Sequence, residues 1–132
     1  MTTWKCPQDG TENPLSERRC LVCRFPNLPR VVVLQAVATG KEAEFTGAIK
    51  LGKAVFTNRF ADPDAQYASD LQFEVIRDET AVAWVIRPIP EAVNPTYYNG
   101  TQVGPDGSQI EEGGVISIGK SKLKIQVRFK RN

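Results

Sequence analysis

This chain of 132 residues reads as an all-β sandwich preceded by a small cysteine-bearing module. Three observations carry that reading. Apolar and polar residues alternate at period 2 in several short runs. Turn-forming clusters separate the runs, as they do in sandwich folds. No ten-residue window shows convincing helical periodicity, and all three cysteines lie before residue 24.

Residues 1–28 form the cysteine module and residues 29–132 the sandwich. The boundary falls in Arg24-Phe25-Pro26-Asn27-Leu28-Pro29-Arg30, whose two prolines fix φ and bias the residues before them toward extended geometry. Val31 to Ala38 is a run rich in β-branched residues, ended by Gly40. Leu71-Gln72-Phe73-Glu74-Val75 alternates as a half-buried strand does. Val82, Trp84 and Ile86 stand at period 2 with apolar Ala83 and Val85 between them, which predicts a more buried strand. Leu123, Ile125, Val127 and Phe129 interleave with Lys122, Lys124, Gln126, Arg128 and Lys130. Between the runs lie Ala61-Asp62-Pro63-Asp64, Asn99-Gly100, Pro105-Asp106-Gly107 and Gly113-Gly114. A unit of about 100 residues can bury a core on its own.

Composition narrows the chemistry. The chain has no histidine, which removes imidazole acid–base catalysis, Ser-His-Asp and Cys-His pairs, imidazole metal ligands and a charge switch near neutral pH. Net charge is +2 but uneven: residues 31–119 carry six basic and twelve acidic residues, while residues 120–132 carry six basic and none acidic. The middle of the chain is a poor nucleic-acid surface; both ends could attract an acidic partner. A solvated strand face accounts equally for the basic end. No run of about 18 apolar residues and no secretion signal is present, so the expectation is a cytoplasmic protein without a membrane span.

The cysteines point to metal. Cys20-x-x-Cys23 is a spacing that lets two thiolates face one ion, and Cys6-Pro7-Gln8-Asp9-Gly10 has the same shape with Asp9 in the second position. Three cysteines without a secretion signal argue against a disulfide framework. A segment of this size with few large apolar side chains needs a staple, and zinc held by Cys6, Asp9, Cys20 and Cys23 would supply it. A degenerate finger without metal is the other reading. The order Trp4, Cys6, Asp9, Asn13, Cys20, Cys23 resembles the Ran-binding-protein type of zinc finger, and Cys6-Pro7-x-Asp9-Gly10 resembles bacterial zinc ribbons. The finger's relatives bind single-stranded RNA or ubiquitin. Here Gly10-Thr11 replaces the ubiquitin-binding Thr-Phe, and Ser16-Glu17 stands where the RNA-binding members place arginines.

Gly114-Val115-Ile116-Ser117-Ile118-Gly119-Lys120-Ser121 matches the P-loop expression letter for letter, and Gly47 to Ala54 nearly does. A P-loop wraps phosphate with loop N–H groups and then enters a helix. Here the intervening positions are strand-like, and the most regular strand in the chain follows Lys120, so no nucleotide is expected.

The same residues fit another pattern. Leu51-Gly52-Lys53, Ser69-Asp70-Leu71-Gln72-Phe73-Glu74-Val75, Trp84, Asn99-Gly100-Thr101-Gln102-Val103 and Glu112 to Gly119 resemble, in order and spacing, the forkhead-associated (FHA) domain over roughly residues 31–130. The resemblance implies a β-sandwich of about eleven short strands that binds phosphothreonine peptides through loops at one end. It carries the family's phosphate-binding arginine onto Lys53, which lacks a planar fork, and its serine onto Ser69. The next position is Asp70, where a like charge would face the phosphate; two charges about 4 Å apart repel by about 4 kcal/mol at an effective dielectric near 20. The family's structural histidine falls on Gln72, its peptide-orienting asparagine on Asn99 and the polar neighbour on Tyr98. Asn99-Gly100 is also a type I′ hairpin signal in its own right, and Ser69 could simply cap a turn.

The functional expectation is a non-enzymatic interaction adaptor of FHA type. It would bind a phosphothreonine-containing or related peptide of a signalling partner through Lys53, Ser69, Asp70, Tyr98 and Asn99. The first alternative, motivated by Asp70, is a phosphate-independent assembly or scaffold module. The second is nucleic-acid binding by Arg18, Arg19, Arg24 and the basic end. The acidic pairs Asp62/Asp64 and Glu111/Glu112 sit in turns, where carboxylates are usually solvated, so no catalytic residue is assigned.

Overall fold

The β-branched and alternating runs become strands. In the computed structural model, which describes residues 3–119, 121 and 123–130, Thr3–Lys5 (β1) and Glu12–Pro14 (β2) form an N-terminal hairpin. Ten further strands build two sheets. The first orders Ser108–Ile110 (β10), Ala83–Pro88 (β7), Phe73–Asp78 (β6) and Ile49–Leu51 (β5) side by side. The second orders Glu42–Phe45 (β4), Val31–Ala36 (β3), Lys124–Lys130 (β12), Val115–Ile118 (β11), Thr96–Tyr98 (β8) and Thr101–Gln102 (β9). All pairings are antiparallel.

One apolar core joins the two sheets. Val32 and Leu34 of β3, Ile116 and Ile118 of β11, and Ile125 and Val127 of β12 share it with Leu51, Phe73, Val75, Trp84 and Ile86. The alternation in β12 is realised: Ile125 and Val127 are buried, while Lys124, Arg128 and Lys130 are exposed. On the outer face Arg128 pairs with Glu42 and Lys130 with Glu44, which neutralises two charges of the basic end. Lys120, Lys122 and Arg131 lie outside the described residues. Val82 to Ile86 are all buried, as the apolar neighbours in that run predict.

Two local readings are corrected. The alternation through Leu71 and Gln72 runs out of phase: Leu71 is 45% exposed and Gln72 is fully buried, for a reason given below. A short helix, α1 (Lys53–Asn58), follows β5 where no helix was expected. Its anchors are Phe56 and Phe60, four residues apart and buried, with ring centroids 6.0 Å from each other; Phe56 is also 6.0 Å from Phe73. Six residues are under two turns, too few to leave a periodic signal.

The N-terminal module is bolted to the sandwich. Arg18 donates to the Val82 carbonyl (3.0 Å) and to Gln109 Oε1 (2.7 Å), and stands 3.8 Å from the Glu111 carboxylate. Arg19 reaches the Glu79 carbonyl at 3.4 Å. From the other side, Trp84 Nε1 and Arg77 donate to the Pro29 carbonyl at 2.9 and 3.1 Å, and Leu28 enters the main core. These contacts converge on the β6–β7 turn and the strands beside it. Arg18→Ala is expected to lower the unfolding free energy of the whole chain by roughly 1 kcal/mol, since it removes a charged donor from the part-buried Val82 carbonyl. Arg24→Ala, whose side chain has no described partner, should leave it unchanged; denaturant unfolding followed by tryptophan fluorescence checks both.

Candidate functional site at one end of the sandwich

Strand register gathers three loops at one end. Leu51 pairs with Phe73 and Phe73 with Pro88, so the segments after β5, before β6 and after β7 leave the sheet together. Gly52 lets two of them touch. A Cβ there would lie 1.8 Å from the Asp70 carbonyl oxygen, so only glycine permits the approach. Lys53 N then donates to the Ser69 carbonyl at 2.9 Å, which sets the two residues side by side.

Gln72 ties in the third loop. Its Oε1 accepts from Ser69 N at 3.0 Å, and its Nε2 donates to the Asn94 carbonyl (2.6 Å) and to Thr96 Oγ1 (3.1 Å). Its backbone N–H donates to the Leu51 carbonyl and its carbonyl accepts from Ile89 N. A buried amide needs partners for its polar atoms, and these loops supply them. That is why residue 72 points inward against the alternation, and it gives Gln72 the structural place that the FHA resemblance assigns to histidine.

The structure brings together only part of the expected site. Lys53 is exposed at the start of α1. Ser69 is half-buried, and its Oγ accepts from Val93 N at 2.8 Å. Asp70 is exposed and makes no ion pair with a described residue. Tyr98 and Asn99 stand elsewhere. Asn99 turns the β8–β9 hairpin with φ 50° and Gly100 follows at φ 83°, the positive pair that a type I′ turn requires. Asn99 Oδ1 accepts from Val115 N, and Tyr98 Oη accepts from Glu111 N at 2.7 Å; burial pushes the Tyr98 phenol above its usual pKa. Three strand steps, about 10 Å, carry Asn99 away from Thr96 toward the end where Glu111 meets Arg18.

A different asparagine stands with Ser69 and Gln72. Asn94 Nδ2 donates to the Tyr67 carbonyl at 2.6 Å, and Asn94 lies beside Gly119. Asn94 and Asn99 are five residues apart in Asn94-Pro95-Thr96-Tyr97-Tyr98-Asn99-Gly100. The hairpin signal claims the second, which leaves the first for the loop. Two recesses flank the Gln72 cross-link: one of about 690 Å³ beside Tyr67, Asn94 and Gly119, and one of about 680 Å³ beside Ser69, Asp70 and Val93.

The four residues of the cysteine module also meet. One donor atom from each of Cys6, Asp9, Cys20 and Cys23 lies within 4.8 Å of all the others. The two halves share one backbone shape. Gly10 N donates to the Cys6 carbonyl and Arg24 N to the Cys20 carbonyl, both at 2.9 Å, and Gly10 and Arg24 have φ of 79° and 66°. Buried Asn13 links the halves by accepting from Leu21 N, and Trp4 Nε1 donates to the Glu17 carbonyl. The Thr11 N–H holds the Asp9 carboxyl well below the usual carboxylate range. Burial opposes charge on Cys20, but the N–H groups of Cys23 and Val22 outweigh it and bring its pKa to about 7. The Phe25 N–H favours the Cys23 thiolate, yet burial and the neighbouring Cys6, Asp9 and Cys20 push that thiol to about 12. A divalent cation would relieve this crowding of negative charge. Tetrahedral zinc with bonds of about 2.0–2.3 Å needs donors about 3.5–3.8 Å apart. Here Cys6 and Cys23 Sγ are 3.5 Å apart, and Cys20 Sγ is 3.7 Å from the Asp9 carboxylate, so the residues fit a metal site.

No family model matches the chain, and no curated protein matches it significantly. Solved structures do. The FHA domain of an Arabidopsis thaliana hypothetical protein superposes with a TM-score of 0.64 at 24% identity, over 80% of this chain and 89% of that one. A structure described as part of a structural and functional analysis of phosphothreonine-dependent FHA domain interactions reaches 0.58 at 24% identity, over 77% and 99%. The sandwich has the FHA fold. Mycobacterium tuberculosis EmbR, solved in complex with a low-affinity phosphopeptide, is similar with a TM-score of 0.61 at 15% identity; the match covers 89% of this chain but 28% of EmbR.

Gln72→Ala would leave the Ser69 N–H, the Asn94 carbonyl and the Thr96 hydroxyl without their side-chain partner. A loss of roughly 2–4 kcal/mol in unfolding free energy is expected. Faster amide exchange at Ser69 should accompany it, and unchanged exchange there would refute the cross-link.

Proposed function

We propose that the chain is a protein-interaction module whose loop end binds an extended peptide, with Lys53 and Ser69 receiving a phosphothreonine and Asn94 orienting the peptide backbone. One observation carries the reading: the backbone bond from Lys53 N to the Ser69 carbonyl, which sets a residue bearing an ammonium beside one bearing a hydroxyl at the end where Asn94 also stands. The Ser69 hydroxyl accepts from Val93 N and keeps its own proton to donate. The phosphopeptide bound to EmbR and the phosphothreonine dependence named for another FHA structure support the ligand class. Nucleic-acid binding is the weaker reading, because Arg18 and Arg19 are engaged with the sandwich.

A nine-residue peptide centred on phosphothreonine and its unphosphorylated twin provide the test. The phosphopeptide should bind more tightly, and Lys53→Ala or Ser69→Ala should each weaken it by about three- to tenfold. Asn99→Gly, which keeps the turn, should change nothing. Equal affinity for the twins would remove the phosphate from the reading and favour assembly independent of phosphorylation, the function that Asp70 motivates.

We further propose that Cys6, Asp9, Cys20 and Cys23 hold one structural zinc. Zinc here would fold the finger and keep Arg18 and Arg19 presented to the sandwich. Thiols must lose protons to bind metal, so affinity should fall on acidification from pH 8 to pH 6. Metal analysis should return about one zinc per chain, and Asp9→Ala should retain it at least tenfold more weakly. A chain that binds no zinc in either form would sink this assignment.

A further inference from the structure

The recess beside Ser69 has a chemistry of its own. Half of its lining is apolar, built from Leu71, Ile89, Val93 and the prolines on either side of Ile89. Among the described residues seven large apolar side chains are exposed, and two of them, Leu71 and Val93, line this recess. Exposed apolar side chains lining a recess of this kind mark a docking face. The charge around the recess is negative. Asp70, Glu74 and Glu91 line it with only Lys50 against them. Glu74 is flanked in register by Lys50 on one side and Arg87 on the other. Asp70 and Glu91 have no such neighbour and make no ion pair among the described residues. They project from the two loops that the bond between Val93 N and Ser69 Oγ holds together.

Resting on the peptide-binding reading above, we infer that this recess takes a lysine or arginine of the bound peptide, its stem against Leu71 and Val93 and its charged head between Asp70 and Glu91. A long cationic side chain matches both halves of the surface, since it covers apolar area with its methylenes while keeping its charge at the polar rim. Ser69 and Asp70 form one wall, so the recess begins where the anchor of the peptide ends. At about 3.3 Å per residue it lies one to three positions from the anchoring residue. Asp70 then has a second meaning. It opposes a phosphate on the anchor and favours a cation beside it, which directs the module toward basic segments. A nucleic-acid backbone meets the same carboxylates and is repelled.

The experiment uses three nine-residue peptides with phosphothreonine at the centre, identical except that the flanking positions are lysine, alanine or glutamate. In low salt the intact chain should bind the lysine peptide about three- to tenfold more tightly than the alanine peptide, and the glutamate peptide least. Molar salt should collapse the differences. The double variant Asp70→Asn, Glu91→Gln should bind all three alike, and Asp70→Lys with Glu91→Lys should reverse the order. Binding without any preference among the three overturns the inference and leaves peptide recognition standing. No binding of any peptide, with the Ser69 and Asn94 amide resonances unmoved, overturns both. A preference that survives in the double variant places the cation elsewhere and also overturns it.

Discussion

Gln72 is the residue on which the loop end depends. Five hydrogen bonds leave it for β5, the Ser69 loop, the segment from Ile89 to Asn94 and the first residue of β8. Loops that carry a binding site must be held without packing of their own, because their backbones are exposed and they bury little apolar surface. A buried amide achieves this through direction and stoichiometry: one acceptor and two donors, each aimed at a different segment. Gly52 completes the arrangement by removing a Cβ where backbone must pass. Ser69, Lys53 and Asn94 are therefore positioned by neighbours that need not touch a ligand themselves.

The finger is organised on a different principle. Its own apolar cluster holds only Trp4, Cys6 and Cys20 with Cys23 and Phe25 against them, far too little to offset the conformational entropy of about 25 residues. What it has instead is two matching knuckles whose donors converge, and a polar seam to the sandwich through Arg18 and Arg19. A metal bound by these donors would shape the module, and the seam would make that shape matter to the larger unit.

Where a single face meets the core, sequence periodicity is legible. β12 is the clearest case, flanked by β3 and β11, with Ile125 and Val127 inward and Arg128 outward. The convergence of Cys6, Asp9, Cys20 and Cys23 is equally legible, because knuckle spacing is local and Asp9 stands at the second position of the first knuckle. What failed was tertiary. Gln72 looked like the polar half of an alternation, since nothing local reveals that three loops will converge on it. The FHA resemblance carries the peptide-orienting role onto Asn99, which the structure places in the β8–β9 turn that its Asn-Gly dipeptide also predicts; Asn94, before Pro95, offers no comparable signal. Helix α1 is held by Phe56 and Phe60 reaching the core rather than by a repeating pattern. Arg18 and Arg19 read as candidates for nucleic-acid contact until Val82, Gln109 and Glu79 are placed beside them.

Val31 and Lys130 are register partners, so the sandwich is entered and left at the end that carries the finger. Among the described residues, no strand leads out of the domain at the loop end. Anything joined to the chain through either side would therefore sit at the opposite end from these loops rather than across them. The molecule has the plan of a body on a handle: fixed to a larger assembly, a surface or a second module by its base, it would keep the loops of Lys53, Ser69 and Asn94 at the opposite end, where the proposed peptide would meet them.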